Sequence, residues 1–228
     1  MSPLRSTVVS PALLASFAFS LGLLLVACRQ QPPDAALREA QALRGNGQAA
    51  AAEGRLRQLL QSDIDNRAAH RMLGELYLEQ GKLVEAEREL RRALLLGADA
   101  GPVTLLLGTT LLKQGQYTRV LNEISPVAPM AQRPATLALR GNAALELGDL
   151  DGARAMFVRA LSYHPDAPDA LLGLARIAHY QRQTGQAQQF LARALAIHPD
   201  DPAIVQFRAE LAREQDSVAP APSLAVKQ

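Results

Sequence analysis

Glycine returns along this chain on a fixed beat. Gly47, Gly81, Gly115 and Gly148 are separated by 34, 34 and 33 residues. Five residues after each of these sites, and again in a fifth register, stand Ala52, Ala86, Val120, Ala153 and Ala187, at intervals of 34, 34, 33 and 34. Pro165 and Pro199 are also 34 apart, inside YHPDAPDA and IHPDDPAI. A period of this length means one supersecondary unit repeated, in which each unit buries its apolar face only against its neighbours. Nearly half the residues are hydrophobic (48%) but only 4% are aromatic. The apolar content is mostly Ala and Leu, which favour helix, without Val/Ile/Thr runs that would favour strand. The unit is therefore a pair of helices.

Residues 67–100, RAAHRMLGELYLEQGKLVEAERELRRALLLGADA, show the pair most clearly. Met72, Leu73, Leu76 and Tyr77 share one face of a first helix, and Gly74 sits where a second helix packs closely. Gly81 ends the first helix in a tight turn, which needs a left-handed residue. Ala86, Leu90, Ala93 and Leu94 then recur at i, i+4, i+7 and i+8, a single apolar stripe. Leu73-Gly74, Tyr77, Gly81, Ala86, Leu90 and Ala93 resemble the tetratricopeptide repeat (TPR), with Ala98 where that pattern has proline. Gly141, Gly148, Ala153, Phe157, Ala160 and Pro165 repeat the resemblance in 134–167. Ala175, Ala187, Leu191, Ala194 and Pro199 repeat it in 168–201, where Arg182 replaces the turn glycine. The expectation is an all-α, right-handed superhelical TPR solenoid of about five helix-turn-helix repeats: 33–66, 67–100, 101–133, 134–167 and 168–201. Residues 202–215 form a capping helix, which closes the solenoid at 216, and a Pro/Ala-rich disordered tail follows over 217–228. The unit 101–133 departs most. Pro126 and Pro129 fall where its second helix should continue, and proline in a helix interior costs about 3 kcal/mol, so that helix is expected to be short.

The N-terminus has another logic. Residues 1–27 carry one charge, Arg5, before an uncharged apolar run, the layout of a secretory leader. An uncleaved membrane anchor is the alternative, since the run approaches membrane-spanning length. Cys28, the only cysteine, closes the run. Leu25-Val26-Ala27-Cys28 resembles a bacterial lipobox, which implies acylation of the Cys28 thiol and cleavage before it. Residues 28–32 then tether the lipid to the first helix. Arg29, rather than aspartate, follows the cysteine and favours the outer over the inner membrane, so the expected location is a periplasm-facing lipoprotein of the cell envelope. Beyond that covalent lipid no cofactor is expected.

Residues 73–126, with their LGELYLEQG and LLLGTTLLKQGQYTRVLNEISP units, resemble the early repeats of TPR lipoproteins associated with the PEP-CTERM/exosortase system. The resemblance extends over roughly residues 33–215 and implies a role in exopolysaccharide export or protein sorting. Members of that family usually carry many more repeats. A pilotin-like lipoprotein assisting type IV pilus or secretin assembly is a second reading. An accessory to a cell-wall polysaccharide enzyme is a third.

Catalysis has no carrier in the sequence, so the chain reads as a non-enzymatic scaffold. There is no Gly-rich phosphate loop and no nucleophile elbow. His164 and His198 occupy equivalent positions before proline, at helix C-termini where a partly charged imidazole is favoured, and no metal site is assigned to them. Lys plus Arg (24) nearly balance Asp plus Glu (22), with no basic stripe of the kind nucleic acid requires. The expected partners are envelope proteins or peptide segments, with no nucleic acid and no small-molecule substrate. By the TPR resemblance, first helices line the concave face and repeat positions 5, 9 and 13 point into it: Arg71, Glu75, Glu79, Thr109, Lys113, Asn142, Glu146, Arg176 and Tyr180. Asn142 resembles the asparagine of carboxylate-clamp TPRs, but Ala138 stands where that clamp has a basic residue, so a clamp is not expected.

Overall fold

The computed structural model describes residues 33–125 and 132–218. The leader 1–27, Cys28, the tether 28–32, Pro126, Pro129 and the tail from residue 219 lie outside the described residues. Among those described there are eleven helices and no strand, an all-α TPR fold. They are α1 (Pro33–Gly45), α2 (Ala49–Ser62), α3 (Arg67–Glu79), α4 (Leu83–Leu95), α5 (Ala100–Lys113), α6 (Tyr117–Glu123), α7 (Arg133–Glu146), α8 (Leu150–Tyr163), α9 (Pro168–Tyr180), α10 (Thr184–Ile197) and α11 (Pro202–Val218). The last runs past residue 215, where sequence reasoning ended the cap. No helix among the described residues is long and apolar enough to cross a membrane.

The chain divides into two compact units, 1–55 and 56–228, with the boundary inside α2. In the first, Ala36, Ala40 and Ala52 are buried, and Arg55 on α2 donates to Glu39 on α1 over 2.6 Å. In the second, each odd-numbered helix pairs antiparallel with the even-numbered helix after it. It also lies against the next odd-numbered helix, as α3 does on α5, α5 on α7 and α7 on α9. One face of this unit is thus built from first helices alone.

The turns explain the glycine beat. At all five sites an amide reaches back to the carbonyl five residues earlier, closing the end of the first helix: Gln48 to Leu43, Lys82 to Tyr77, Gln116 to Leu111, Asp149 to Ala144 and Gln183 to Ala178, at 2.8–2.9 Å. The residue before each donor is left-handed, with φ between 72° and 82° at the four glycines. Arg182 adopts the same conformation at φ 60°. The turn is therefore conserved in geometry where it is lost in residue type.

Burial follows the stripes. One core cluster joins Leu90, Ala93, Val103, Leu107, Leu111, Val120, Ile124, Leu139 and Ala143, from α4 to α7. A second runs through α7, α8 and α9 around Phe157. A third closes α9 and α10 with Ile204, Phe207 and Leu211 of α11. Each core spans one hairpin and the first helix of the next repeat. Gly74 permits that packing: a Cβ there would lie 2.7 Å from Leu90 Cγ. Phe157 needs two such concessions, since a Cβ on Gly141 would lie 2.7 Å from its ring and one on Gly173 2.2 Å. Polar groups also enter the packing. Buried His70 places Nε2 2.9 Å from the Ile64 carbonyl oxygen and Nδ1 2.7 Å from Glu89 on α4.

The expected short helix is present. α6 has 7 residues, against 13 for α4 and 14 for α8 and α10. Three features hold it. Ile124, just past its end, is fully buried at the position that Leu90, Phe157 and Leu191 fill in other repeats. A closed ring of alternating charge joins α4 to α6: Arg91 binds Glu87 (2.9 Å) and Glu123 (2.6 Å), and Arg119 binds Glu87 (2.8 Å) and Glu123 (2.7 Å). Finally, Arg140 of α7 donates through Nη1 to the carbonyls of Leu121 (2.5 Å) and Ile124 (2.6 Å). A helix end leaves its last carbonyls without partners, and here a guanidinium from the next repeat satisfies two of them.

Candidate functional site

The first-helix face of the second unit carries the residues expected to bind, and they do not act alike. Arg71 of α3 pairs with Glu75 one turn on, within its own helix. The Thr109 hydroxyl donates to the Leu105 carbonyl at 2.9 Å, so its proton is engaged inside α5. Glu79 and Lys113 are exposed near the C-terminal ends of α3 and α5, and Asn142 is half-buried on α7, one turn before Glu146. Position 5 supplies no groove residue in the two later repeats. Ala138 and Leu172 are only 1% and 6% exposed, so they belong to the core rather than to the groove.

Glu146, Arg176 and Tyr180 come together. With Leu145, His179 and three residues of α11, Phe207, Glu210 and Glu214, they line a cavity of about 360 Å³. The floor is apolar and aromatic. Phe207 is buried, its ring meets the His179 ring edge-on at 5.9 Å, and the Arg176 guanidinium lies 5.9 Å from its centroid. That places Arg176 at cation–π distance rather than in a carboxylate bridge. Tyr180 stands at the rim, 66% exposed. His179 Nε2 lies 3.2 Å from Glu214, and Glu210 accepts from Gln206 Nε2 at 2.8 Å.

Sequence reasoning missed the α11 half of this cavity by treating 202–215 only as a cap. The signal was present. Pro202 follows Pro168 by 34 residues, so Gln206, Glu210 and Glu214 occupy repeat positions 5, 9 and 13 of a sixth unit whose first helix is α11. A second cavity, about 410 Å³, lies between α3 and α5 and is lined by Arg67, Arg71, Asp99 and Pro102 among others. Its charges are largely engaged: Arg67 donates to the Gly97 carbonyl (3.2 Å), Arg71 pairs with Glu75, and Asp99 caps α5 through the Gly101 amide (3.1 Å). Cys28 lies outside the described residues. No group of three or more His, Cys, Asp or Glu among the described residues is arranged to hold a metal.

Comparison with known proteins agrees with this construction. The sequence matches the family described as tetratricopeptide repeat over residues 43–103 and 144–211. Among solved structures, the chain is similar to YrrB, described as a TPR protein with an unusual peptide-binding site. The two are 19% identical, over 82% of this chain and 97% of that one, with a TM-score of 0.56. It is also similar to PilF of Pseudomonas aeruginosa (19% identity, 81% and 92% coverage, TM-score 0.59). A third is PilW, a type IV pilus biogenesis factor (18% identity, 84% and 96% coverage, TM-score 0.60). At these identities the likeness concerns the fold. A comparison with curated protein sequences finds no match.

Proposed function

The chain belongs to the tetratricopeptide-repeat family, and from that premise we propose that it is a lipid-anchored scaffold of the bacterial envelope, holding a protein segment on its first-helix face. The observation that carries the reading is the convergence of Glu146, Arg176 and Tyr180 on one cavity walled by three successive first helices. TPR arrays present extended binding surfaces of this kind, and nothing in the cavity resembles a nucleophile with its base. The anchor rests on Leu25-Val26-Ala27-Cys28, and the outer membrane on Arg29. Two acyl chains or more hold a protein firmly where one does not. The pathway, exopolysaccharide export or PEP-CTERM protein sorting, rests on the resemblance carried by residues 73–126.

Two measurements test the proposal in the intact envelope. Metabolic labelling with palmitate should mark the wild-type chain and not Cys28→Ala; equal labelling removes the anchor. A photo-crosslinker at Asn142 should capture an export or sorting component, and Glu146→Lys/Arg176→Glu should lose it. Capture of a secretin instead moves the chain to pilus assembly. Crosslinks unchanged by the double variant refute the first-helix face as the binding face.

A further inference from the structure

The partner's chemistry can be narrowed from the cavity between α7, α9 and α11. Its lining holds three carboxylates, Glu146, Glu210 and Glu214, against one guanidinium, Arg176. With His179 neutral the formal charge is about −2, although the whole chain carries +2. The local field is thus opposite in sign to the molecule that bears it. These charges do not cancel one another. Among the described residues, Glu214 is met by His179 Nε2 at 3.2 Å. Glu210 is met by a neutral amide, Gln206, and Arg176 rests over the Phe207 ring. Carboxylates and guanidinium share one concave space without closing on each other, which leaves both able to meet groups from outside.

From this arrangement we propose that the cavity takes a lysine or arginine side chain of an extended protein segment, while Arg176 donates to a backbone carbonyl of the same segment. The inference rests on the reading of the first-helix face as the binding face. Glu146 and Glu210, on α7 and α11, receive the cation from two sides. The exposed ring of Tyr180 offers it a π face at the rim. A volume of about 360 Å³ lies at the lower end of the range for ligand pockets, ~300–1,000 Å³, which suits one long side chain and its backbone. An acidic segment is disfavoured by the same charges. The α3/α5 cavity is not an equal candidate, because its arginines and Asp99 are engaged by neighbouring groups of the chain.

The test is selection from a random nonapeptide display library on the full-length, detergent-solubilised protein. Parallel selections use Glu146→Lys/Glu210→Lys, the neutral Glu146→Gln/Glu210→Gln, and Asn142→Phe as an uncharged groove block. All are first checked for unchanged melting. Wild type should enrich Lys- or Arg-bearing sequences. The neutral variant should bind these about tenfold more weakly, and the reversed variant should enrich Asp or Glu. Enrichment that Asn142→Phe abolishes, but that shows no basic preference or no response to Glu146 and Glu210, overturns the cationic assignment and leaves the groove reading intact. Enrichment that no groove variant disturbs, or no enrichment at all, overturns both.

Discussion

Arg140 offers the sharpest test of how this array tolerates its own irregularity. It stands at the repeat position held by Leu73, Leu107 and Leu174, all buried. Replacing it with leucine therefore restores the pattern of the family, and pattern alone predicts a gain. The structure predicts a loss. Arg140 Nη1 makes two charged hydrogen bonds to the open carbonyls of α6, each worth about 1.5–3 kcal/mol. Leucine removes about 3–6 kcal/mol if those carbonyls stay dry. Two terms come back. Arg140 Nε is buried without a partner, and that orphan costs about 1–3 kcal/mol. Burial also pulls the guanidinium pKa down, a sign that the charge is held at a cost. The apolar gain is small, because the arginine stem already covers the same surface. Taken at mid-range, these terms leave about 2–3 kcal/mol of destabilisation, localised to α6. In native-state hydrogen exchange, the amides of residues 117–124 should open about 30- to 150-fold more often in Arg140→Leu, while those of α9 and α10 change little. Equal or greater protection of α6 in the leucine variant would show that packing outweighs the carbonyl bonds, and the account of the short helix would fall.

The other predictions concern single positions. Arg182→Gly should raise stability by about 1 kcal/mol, measured by urea denaturation, because the residue is left-handed at φ 60°. Gly173→Ala should cost about 1–3 kcal/mol by overpacking, since its Cβ would lie 2.2 Å from the Phe157 ring. Adding Phe157→Leu, the residue type at Leu90 and Leu191, should recover part of that loss in the same denaturation assay. The Glu87–Arg91–Glu123–Arg119 ring should weaken in acid. Arg119 and then Arg91 hold the Glu123 pKa below the ordinary value; at Glu87, burial pushes upward but the bonds from Arg119, Arg91 and Gln114 together bring it down. Carboxylates with depressed folded values stabilise fully above the ordinary glutamate range and lose that contribution as pH falls below it. Protection of α6 should therefore drop on acidification, and Glu87→Gln/Glu123→Gln should remove that dependence.

The fold was legible because its signal is periodic. Thirty-four-residue spacing, a left-handed turn residue and an i, i+4, i+7 stripe point to the same hairpin, and the short α6 followed from Pro126. The devices that sustain α6 were not legible. Arg140 reads as a break in the leucine pattern, and its meaning exists only once α7 lies against the end of α6. Gly173 likewise looks like a weak helix residue until the Phe157 ring is placed beside it. At the binding face the period was read too short: the repeat count stopped at residue 201, although the groove continues onto α11.

That continuation gives α11 two tasks at once. Ile204, Phe207 and Leu211 recur at i, i+3 and i+7 and close the last core with α9 and α10. Gln206, Glu210 and Glu214 recur at i, i+4 and i+8, offset from the first set by one residue, or about 100° around the helix. The same helix therefore completes the core of α9 and α10 and supplies the third wall of the cavity. Phe207 belongs to both sets of contacts, being 4% exposed in the core and lying beneath Arg176 at the cavity floor. Deleting α11 cannot separate folding from binding, because it would bare Leu171 and Leu191 while removing two of three carboxylates. Only changes confined to the Gln206–Glu210–Glu214 stripe can do so. A loss of partner binding from that stripe at unchanged melting temperature is what a helix used as a binding element, and not merely as a core-closing one, requires.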